Sequence, residues 1–444
     1  MHPEKTQNLA GPPALPRRTF LQRAGRSVIV LSGLRAIDFA SPVRAVAVDD
    51  VIKIADPTGV LGETGAPVAI ECSLPAQLRA AFAAGRLGLV EPGNPEKEVI
   101  PAQRLPGGTE TTARLCWLMS AGPAGERSFR LTDARLPLAG RMDARAVGGQ
   151  YELTERDKPV LRYNYATIEP GELLKSVSAD NRKYAVARSD YIHPLYGLEG
   201  EVLTKDWSVD HPHHRGIYWA WPEVDWQGKR GDLHALQNVF ARPVGKCEVF
   251  SGPVFCGVSA ENVWRWEDRE PVVRERAVIR AYRSGALGRV IDLEFTFEAI
   301  DLPVQVARRG TNAYGGLNIR LSAIAGQQFK KYTAPAGSNP RPSWSDASGS
   351  FAGAQKPSGL VVMQMASNHD YPGDWIDFPD MNWLQPTFPA SGTRFELKKG
   401  NPLTLRFRLW IHSGGPVSET SANACWQAAH SSFSTLTSKT PSAL

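Results

Sequence analysis

The strongest constraint on the fold is a two-residue hydrophobic period that recurs from Tyr151 to His412. "VVRERAVIRAY" (272–282), "RVIDLEFTFEAI" (289–300) and "LTLRFRLWIH" (403–412) each alternate apolar and polar residues. "YELTERDKPVLRYNY", "CEVFSGPVFCGVSAENVWRW", "GGLNIRLSA" and "SGLVVMQMA" do the same over shorter runs. Successive side chains of a strand point to opposite faces, so this period buries one face of an antiparallel sheet and wets the other. No segment of comparable length carries helical spacing. The 40 glycines and 34 prolines suit a turn-rich chain. The expectation is an all-β protein, with a large antiparallel β-sandwich over residues 150–426.

At 444 residues the chain is too long for one ordinary core. Between Val48 and Gly149, short strand-like runs such as "VAIECSL", "TARLCWLMSA" and "RSFRLTDA" alternate with turn residues, which predicts a smaller β-sandwich over 48–149. The Ala-rich stretch Gln77 to Gly85 reads as one short helix. "LAGRMDARAVGGQ" has no periodicity and reads as a linker. The Ser/Thr-rich end, residues 427–444, reads as a disordered tail.

The first 47 residues form a leader. "PRRTFLQRAG" precedes the apolar "SVIVLSGL" and the small residues Ala45–Ala47, the order of a secretory signal, and Arg17-Arg18-Thr19-Phe20-Leu21 resembles a twin-arginine core. The expected location is periplasmic or otherwise exported. The net charge of +6 belongs mostly to this leader, which holds seven Lys/Arg against Glu4 and Asp38. The remainder carries about +1, which gives no electrostatic case for nucleic acid. No stretch approaches the roughly 18 uninterrupted apolar residues of a membrane span. The five cysteines lack CxxC spacing. Cys247 with Cys256, or Cys72 with Cys116, can pair in an oxidising compartment, and buried thiols are the alternative.

One stretch carries most of the chemistry. "DHPHHRGIYWAW", Asp210 to Trp221, sets three histidines, an aspartate and an arginine before an aromatic run. Pro212 favours an extended His211, and an extended segment puts His211 and His213 on one face, Asp210 and His214 on the other. Two imidazoles so placed can share a divalent metal or act as base and acid beside a substrate. A metal needs a third ligand. His193 is nearest in sequence, and His234, Asp232 and Glu223 follow. The candidate catalytic residues are therefore His193, Asp210, His211, His213 and His214, and the candidate metal ligands His211, His213 and His193.

The aromatics around this stretch, including Trp207, Trp226, Tyr191 and Tyr218, suit a carbohydrate, whose C–H faces stack on rings while its hydroxyls hydrogen-bond. Tyr196, Trp219 and Trp221 are candidate substrate contacts, with a core role the alternative for the two tryptophans. Arg215 and Arg320 can fork onto a sugar carboxylate or vicinal hydroxyls, and Gly315 and Gly316 allow close approach beside Arg320. Trp344 and Asp346, and Asn368 with His369, complete the substrate-binding candidates on presumed loops. Glu275, Arg280, Asp292 and Glu294 are charges within strands, where structural ion pairs are the expected use.

The motifs "YIHPLYGLEGEVLTKDWSVDHPHHRGIYWAW", "YGGLNIR" and "GLVVMQMASNHDYPGDWI" resemble the DUF6807 family over about Tyr151 to His412. Bacterial members often carry the label "methane oxygenase PmoA-like". A membrane-embedded oxygenase subunit is incompatible with a chain that has no spanning segment. The resemblance implies a companion of exported carbohydrate-degrading enzymes and sugar oxidoreductases, with a galactose-mutarotase-like supersandwich. Three functions follow as expectations: an exported hydrolase, lyase or epimerase acting on a sugar, a non-catalytic glycan-binding protein, or a metal-dependent oxidoreductase.

Overall fold

Two eight-stranded antiparallel sheets face each other across the main core. One runs, in spatial order, through Val239–Phe250, Phe255–Trp266, Glu270–Tyr282, Arg289–Ala299, Leu403–Ser413, Ser358–Gln364, Pro342–Phe351 and Ile324–Thr333. The other runs through Trp375–Phe378, Trp383–Pro386, Gly316–Arg320, Ile217–Ala220, Tyr191–Leu195, Lys158–Asn164, Gln150–Glu155 and Met142–Val147. The computed structural model describes residues 45–48, 51–56, 59–63, 65–92, 99–108, 112–134, 141–285, 287–333 and 341–436. These fall within one compact unit, Ala40–Leu444.

The alternation sets the register. In Glu270–Tyr282, Val273, Ala277 and Ile279 are buried in the main core, while Arg274 and Arg276 between them are exposed. Ala277 pairs with Ala260 and Phe295 on either side, which stacks apolar residues in rows across the sheet. From the facing sheet, Trp219 meets Phe295 and Phe297 edge-on at 5.2 and 4.9 Å between ring centroids. A four-stranded sheet, Lys229–Gly231, Glu223–Trp226, Val304–Ala307 and Phe395–Leu397, continues the architecture.

Ahead of this lies a small sandwich. A five-stranded sheet containing Val51–Asp56, Gly125–Asp133 and Leu87–Val90 shares a core with the three strands Pro67–Ser73, Thr112–Leu118 and Gln103–Gly108. The fold is all-β with a small sandwich and a large one. Gln103 ties them together: its Oε1 accepts from the Val254 and Phe255 amides at 2.9 Å, and its Nε2 donates to the Phe255 carbonyl at 2.9 Å. The Ala-rich stretch is a short helix, Arg79–Ala83.

Two local expectations are corrected, and an open alternative is decided. The "linker" contains strand Met142–Val147, which pairs with Gln150–Glu155 through a turn at Gly148 and Gly149. The tail is helical up to Leu436: Glu419–Leu436 buries Ala422, Cys425 and Ala429 against Trp344 and Trp410. Its buried stripe is made of small residues, which carry little hydrophobic signal. All five cysteines are free. Cys72 and Cys116 lie in different core clusters, and Cys247 faces Ala260 rather than Cys256 in the strand register. Burial pushes the Cys116 thiol up to about 12, so it is no nucleophile.

The leader falls outside the described residues except for Ala45–Ala47, which lie in a strand paired with Ile52–Ile54. No described helix is long and apolar enough to cross a membrane.

Candidate functional site

The histidine segment is a turn, not a strand. The His214 amide donates to the His211 carbonyl at 2.9 Å, and strand Ile217–Ala220 begins only after Gly216. Gly216 has φ +62°, and a Cβ there would meet the Ile192 carbonyl oxygen at 2.2 Å, so the reversal needs glycine. The turn throws His213 and His214 to the same side.

There they meet His234. The Asp232 and Gln237 backbones close on each other at 2.7 and 2.8 Å, and the Asp232 carboxylate accepts from the Ala235 amide at 2.8 Å, which leaves His234 in a tight loop. Buried Arg188 holds this loop by donating to the carbonyls of Leu233 and His234 at 2.8 and 2.6 Å. Ring centroids of His213 and His234 are 4.6 Å apart, those of His213 and His214 4.7 Å, and those of His214 and His234 5.2 Å. Ligand nitrogens from all three lie within 4.8 Å of one another. Small rotations bring such a set onto one ion, since zinc-bound imidazoles sit ~2.0–2.1 Å from the metal.

The three imidazoles are held neutral, the form that can bind a metal. Burial, then Arg188 and His211, pulls His213 down to about 3. Burial, then the neighbouring histidines and Arg188 or Arg320, pulls His214 and His234 well below the ordinary value. Nδ1 of His234 lies 3.1 Å from the Tyr218 hydroxyl, which leaves its Nε2 for a ligand. Nδ1 of His213 and of His214 are buried with no protein partner.

This cluster is part of the wall of a cleft of about 660 Å³. Tyr184, Tyr314, Phe378 and Trp383 supply ring surface, and Phe378 stacks on Trp383 at 4.8 Å. Lys183, Arg230, Arg309, Asp210 and Asp232 supply charge. Arg309 is paired with Asp232 at 2.6 Å and Arg230 with Asp225 at 2.7 Å. On the same wall Asp210 Oδ2 lies 2.8 Å from His211 Nδ1, which turns the other nitrogen of this half-exposed ring outward as an oriented acid or base.

The structure thus brings together Asp210, His211, His213 and His214, and adds His234. Other candidates lie elsewhere. His193 is in strand Tyr191–Leu195, with Nδ1 3.0 Å from Thr204 Oγ1, outside the cluster. Tyr196 is bridged to Val202 and does not line the cleft. Arg215 is fully buried, ion-paired with Asp206 and hydrogen-bonded to the Tyr191 hydroxyl, with its guanidinium 3.4 Å above the Trp207 ring. Trp219 and Trp221 stack at 4.6 Å inside the core and form no sugar wall.

Trp344 and Asp346 are buried on the other large sheet, where Asp346 accepts from His412 and from the Val417 amide. Asn368 exchanges hydrogen bonds with the Arg406 backbone, and His369 pairs with Asp370. Gly315 and Gly316 allow the backbone to pass Arg308 and Pro386, not a ligand. Asp292 binds Arg408 at 2.7 Å and Glu294 binds Arg406 at 2.7 Å, while Arg280 lies over Phe255. Glu223 pairs with Arg394.

Sequence reasoning passed over Trp383, Tyr314 and Arg309, which reach the cleft from a strand and from loops far along the chain. His234 is among the third-ligand candidates in the sequence, in "GDLH", and lies in the loop between strands Lys229–Gly231 and Val239–Phe250.

The model of a family of unknown function, DUF6807, matches residues 150–427, which include every residue of the histidine cluster. No curated protein matches the chain. Among solved structures, a polysaccharide lyase aligns at TM-score 0.26 and 12% identity over 63% of this chain, which spans only 34% of that protein. A Klebsiella pneumoniae protein named as a candidate aldose 1-epimerase aligns at TM-score 0.28 and 9% identity, over 85% of this chain and 100% of that one. Scores of this size assign no activity.

Proposed function

Because the chain belongs to the DUF6807 family, whose matched segment contains the whole cleft, we propose that this member is an exported, metal-dependent enzyme that moves a proton on a sugar. The observation that carries the reading is the convergence of His213, His214 and His234, three neutral imidazoles whose ligand nitrogens lie within 4.8 Å. Three histidines with open positions beside a cleft are the donor set of a catalytic rather than a structural metal site. A bound divalent ion would polarise a carbonyl or carboxylate oxygen of the sugar.

The division of labour follows from the wall. His211, oriented by Asp210, takes a proton from the carbon alpha to that carbonyl or carboxylate, the C–H pair forms a C=C bond to the carbonyl carbon, and the C=O pair moves onto the oxygen. Return of a proton to the opposite face gives an epimer. Expulsion of a leaving group from the next carbon gives an unsaturated sugar. Hydrolysis by paired carboxylates fits less well, because Asp232 is engaged by Arg309 and the Ala235 amide, and Asp210 by His211. Ring surface from Tyr314, Phe378 and Trp383 suits the C–H face of a sugar.

The test is elemental mass spectrometry on purified protein after exposure to Zn²⁺ and Mn²⁺ and dialysis. About one equivalent is expected in the wild type, none in His213→Ala or His234→Ala, and an undiminished equivalent in His211→Ala with loss of turnover. A folded wild type that retains no metal overturns the reading.

A further inference from the structure

Resting on that metal-site reading, we infer that the ligand of the cleft is an anion, a sugar carrying a carboxylate such as a uronate. Three imidazoles whose nitrogens lie within 4.8 Å of one another bring no negative charge to a divalent ion. Around them the protein sets more cations than it neutralises. Arg188 and Arg320 are each 4% exposed; Arg188 donates to the His234 carbonyl at 2.6 Å, and Arg320 reaches Ser208 just ahead of the histidine turn. Lys183 stands on the cleft wall with its ammonium 5.0 Å from the Tyr184 ring centroid and no carboxylate beside it among the described ion pairs.

The nearby acids are already committed. Asp232 holds Arg309, Asp190 stands against Arg188 and Asp210 against Arg320, so these acids offset those arginines and leave Lys183 and the ion itself uncompensated. A dication added to this set leaves a buried positive excess, which an anionic ligand cancels.

Arg320 is built to receive one. It stands on strand Gly316–Arg320 opposite Trp383, a cleft residue, and so lies directly behind the cleft wall rather than on it. Among the described residues its guanidinium makes one hydrogen bond, a long one from Nη2 to Ser208 Oγ at 3.4 Å, at the entry to the histidine turn. Nε and Nη1 are buried without a protein acceptor. Two residues earlier on the same face, Asn318 is fully buried with both amide atoms unpaired, beside Tyr218, which contacts His234. Native structures leave few such groups unsatisfied. A guanidinium fork, an amide and a metal position together match a carboxylate and its neighbouring hydroxyl. A carboxylate also acidifies the adjacent C–H once its charge is neutralised, which is the carbon the oriented His211 is placed to deprotonate.

Isothermal titration of one metal-assayed preparation with glucuronate, galacturonate, glucose, galactose and inorganic phosphate tests this. A uronate is expected to bind at least about tenfold tighter than its neutral parent. Arg320→Gln, checked for fold by circular dichroism and for metal content, is expected to remove most of that preference. Lys183→Ala, at a wall position with no structural partner but a ring contact, is expected to reduce it.

Equal binding of uronate and neutral sugar by metal-loaded protein overturns the inference and leaves the metal reading standing. So does binding of phosphate but not uronate, which would assign a different anion. A uronate preference in folded protein that holds no metal overturns the metal reading and supports the anion site. An undiminished preference in both variants overturns the assignment of the carboxylate to this face.

Discussion

Tyr218 and His234 lie parallel, their rings 5.9 Å apart at an interplanar angle of 6°, with the Tyr218 hydroxyl 3.1 Å from His234 Nδ1. Tyr218 belongs to strand Ile217–Ala220, which follows the histidine turn, so one short segment carries two of the proposed ligands and the partner of the third. Such a partner fixes the tautomer and aims the opposite nitrogen.

Tyr218→Phe keeps the ring under the Arg188 guanidinium and removes only the hydroxyl. Metal affinity should fall about 10- to 100-fold, the usual cost of losing an outer partner of a ligand. Competition with a chelator measures it. An unchanged affinity would mean that the hydroxyl serves the core and not the site.

Burial, and then the nearby Asp190 carboxyl, pushes Glu275 well above the carboxylate range. Its Oε2 accepts from Trp264 Nε1 at 2.6 Å. A folded-state value above the unfolded one means that the native protein holds a proton the unfolded chain releases, so stability is full at low pH and declines as pH rises above the ordinary glutamate value. Glu275→Gln retains an acceptor for Trp264 and has nothing to release. Urea midpoints should match the wild type near pH 4.5 and exceed it increasingly toward pH 8. Parallel curves for the two proteins across that range would show that Glu275 is ionised in the native core.

Trp219→Ala should cost about 3–5 kcal/mol in urea unfolding, because the ring fills the space between Trp221, Phe295 and Phe297. Metal content should stay at the wild-type level. A stable variant with lost ligand binding would return Trp219 to the substrate wall that the sequence suggested.

The difference between what was legible and what was not has a physical basis. Alternation reports burial on one face of a strand directly, so the large sheets could be read from "VVRERAVIRAY" and its like. It says nothing of Glu275, a charge on the buried face of that same segment, because the proton it keeps is a property of its neighbours. Helix Glu419–Leu436 was illegible since Ala422, Cys425 and Ala429 bury little area each. Within the site, "DHPHH" announced itself by composition, but its face assignment assumed an extended backbone. Arg215 and Arg320 look alike in sequence. One is ion-paired to Asp206 and bonded to the Tyr191 hydroxyl inside the sheet system, and the other keeps two donors unpaired beside the histidines, a distinction made by partners that neighbouring sequence does not reveal.

Gly216 supplies the last test, since it decides whether the turn positions the histidines or merely carries them. A Cβ at Gly216 would stand 2.2 Å from the Ile192 carbonyl oxygen and 2.9 Å from His193 Cβ, and neither strand Tyr191–Leu195 nor the turn can yield without the other. Gly245 is the control: its φ is +79°, similar to +62° at Gly216, but nothing lies within 4 Å of its Cβ position. Alanine at Gly245 should therefore cost only the left-handed backbone penalty, about 1–2 kcal/mol. Alanine at Gly216 should cost about 3 kcal/mol or more, because steric displacement adds to the same penalty. If the turn sets the ligand geometry, Gly216→Ala should also lose metal under conditions where it remains folded, while Gly245→Ala keeps its full equivalent. Equal metal content in the two folded variants would mean that His213 and His214 find the ion without help from the backbone, and that the site is assembled by His234 and its Arg188-held loop.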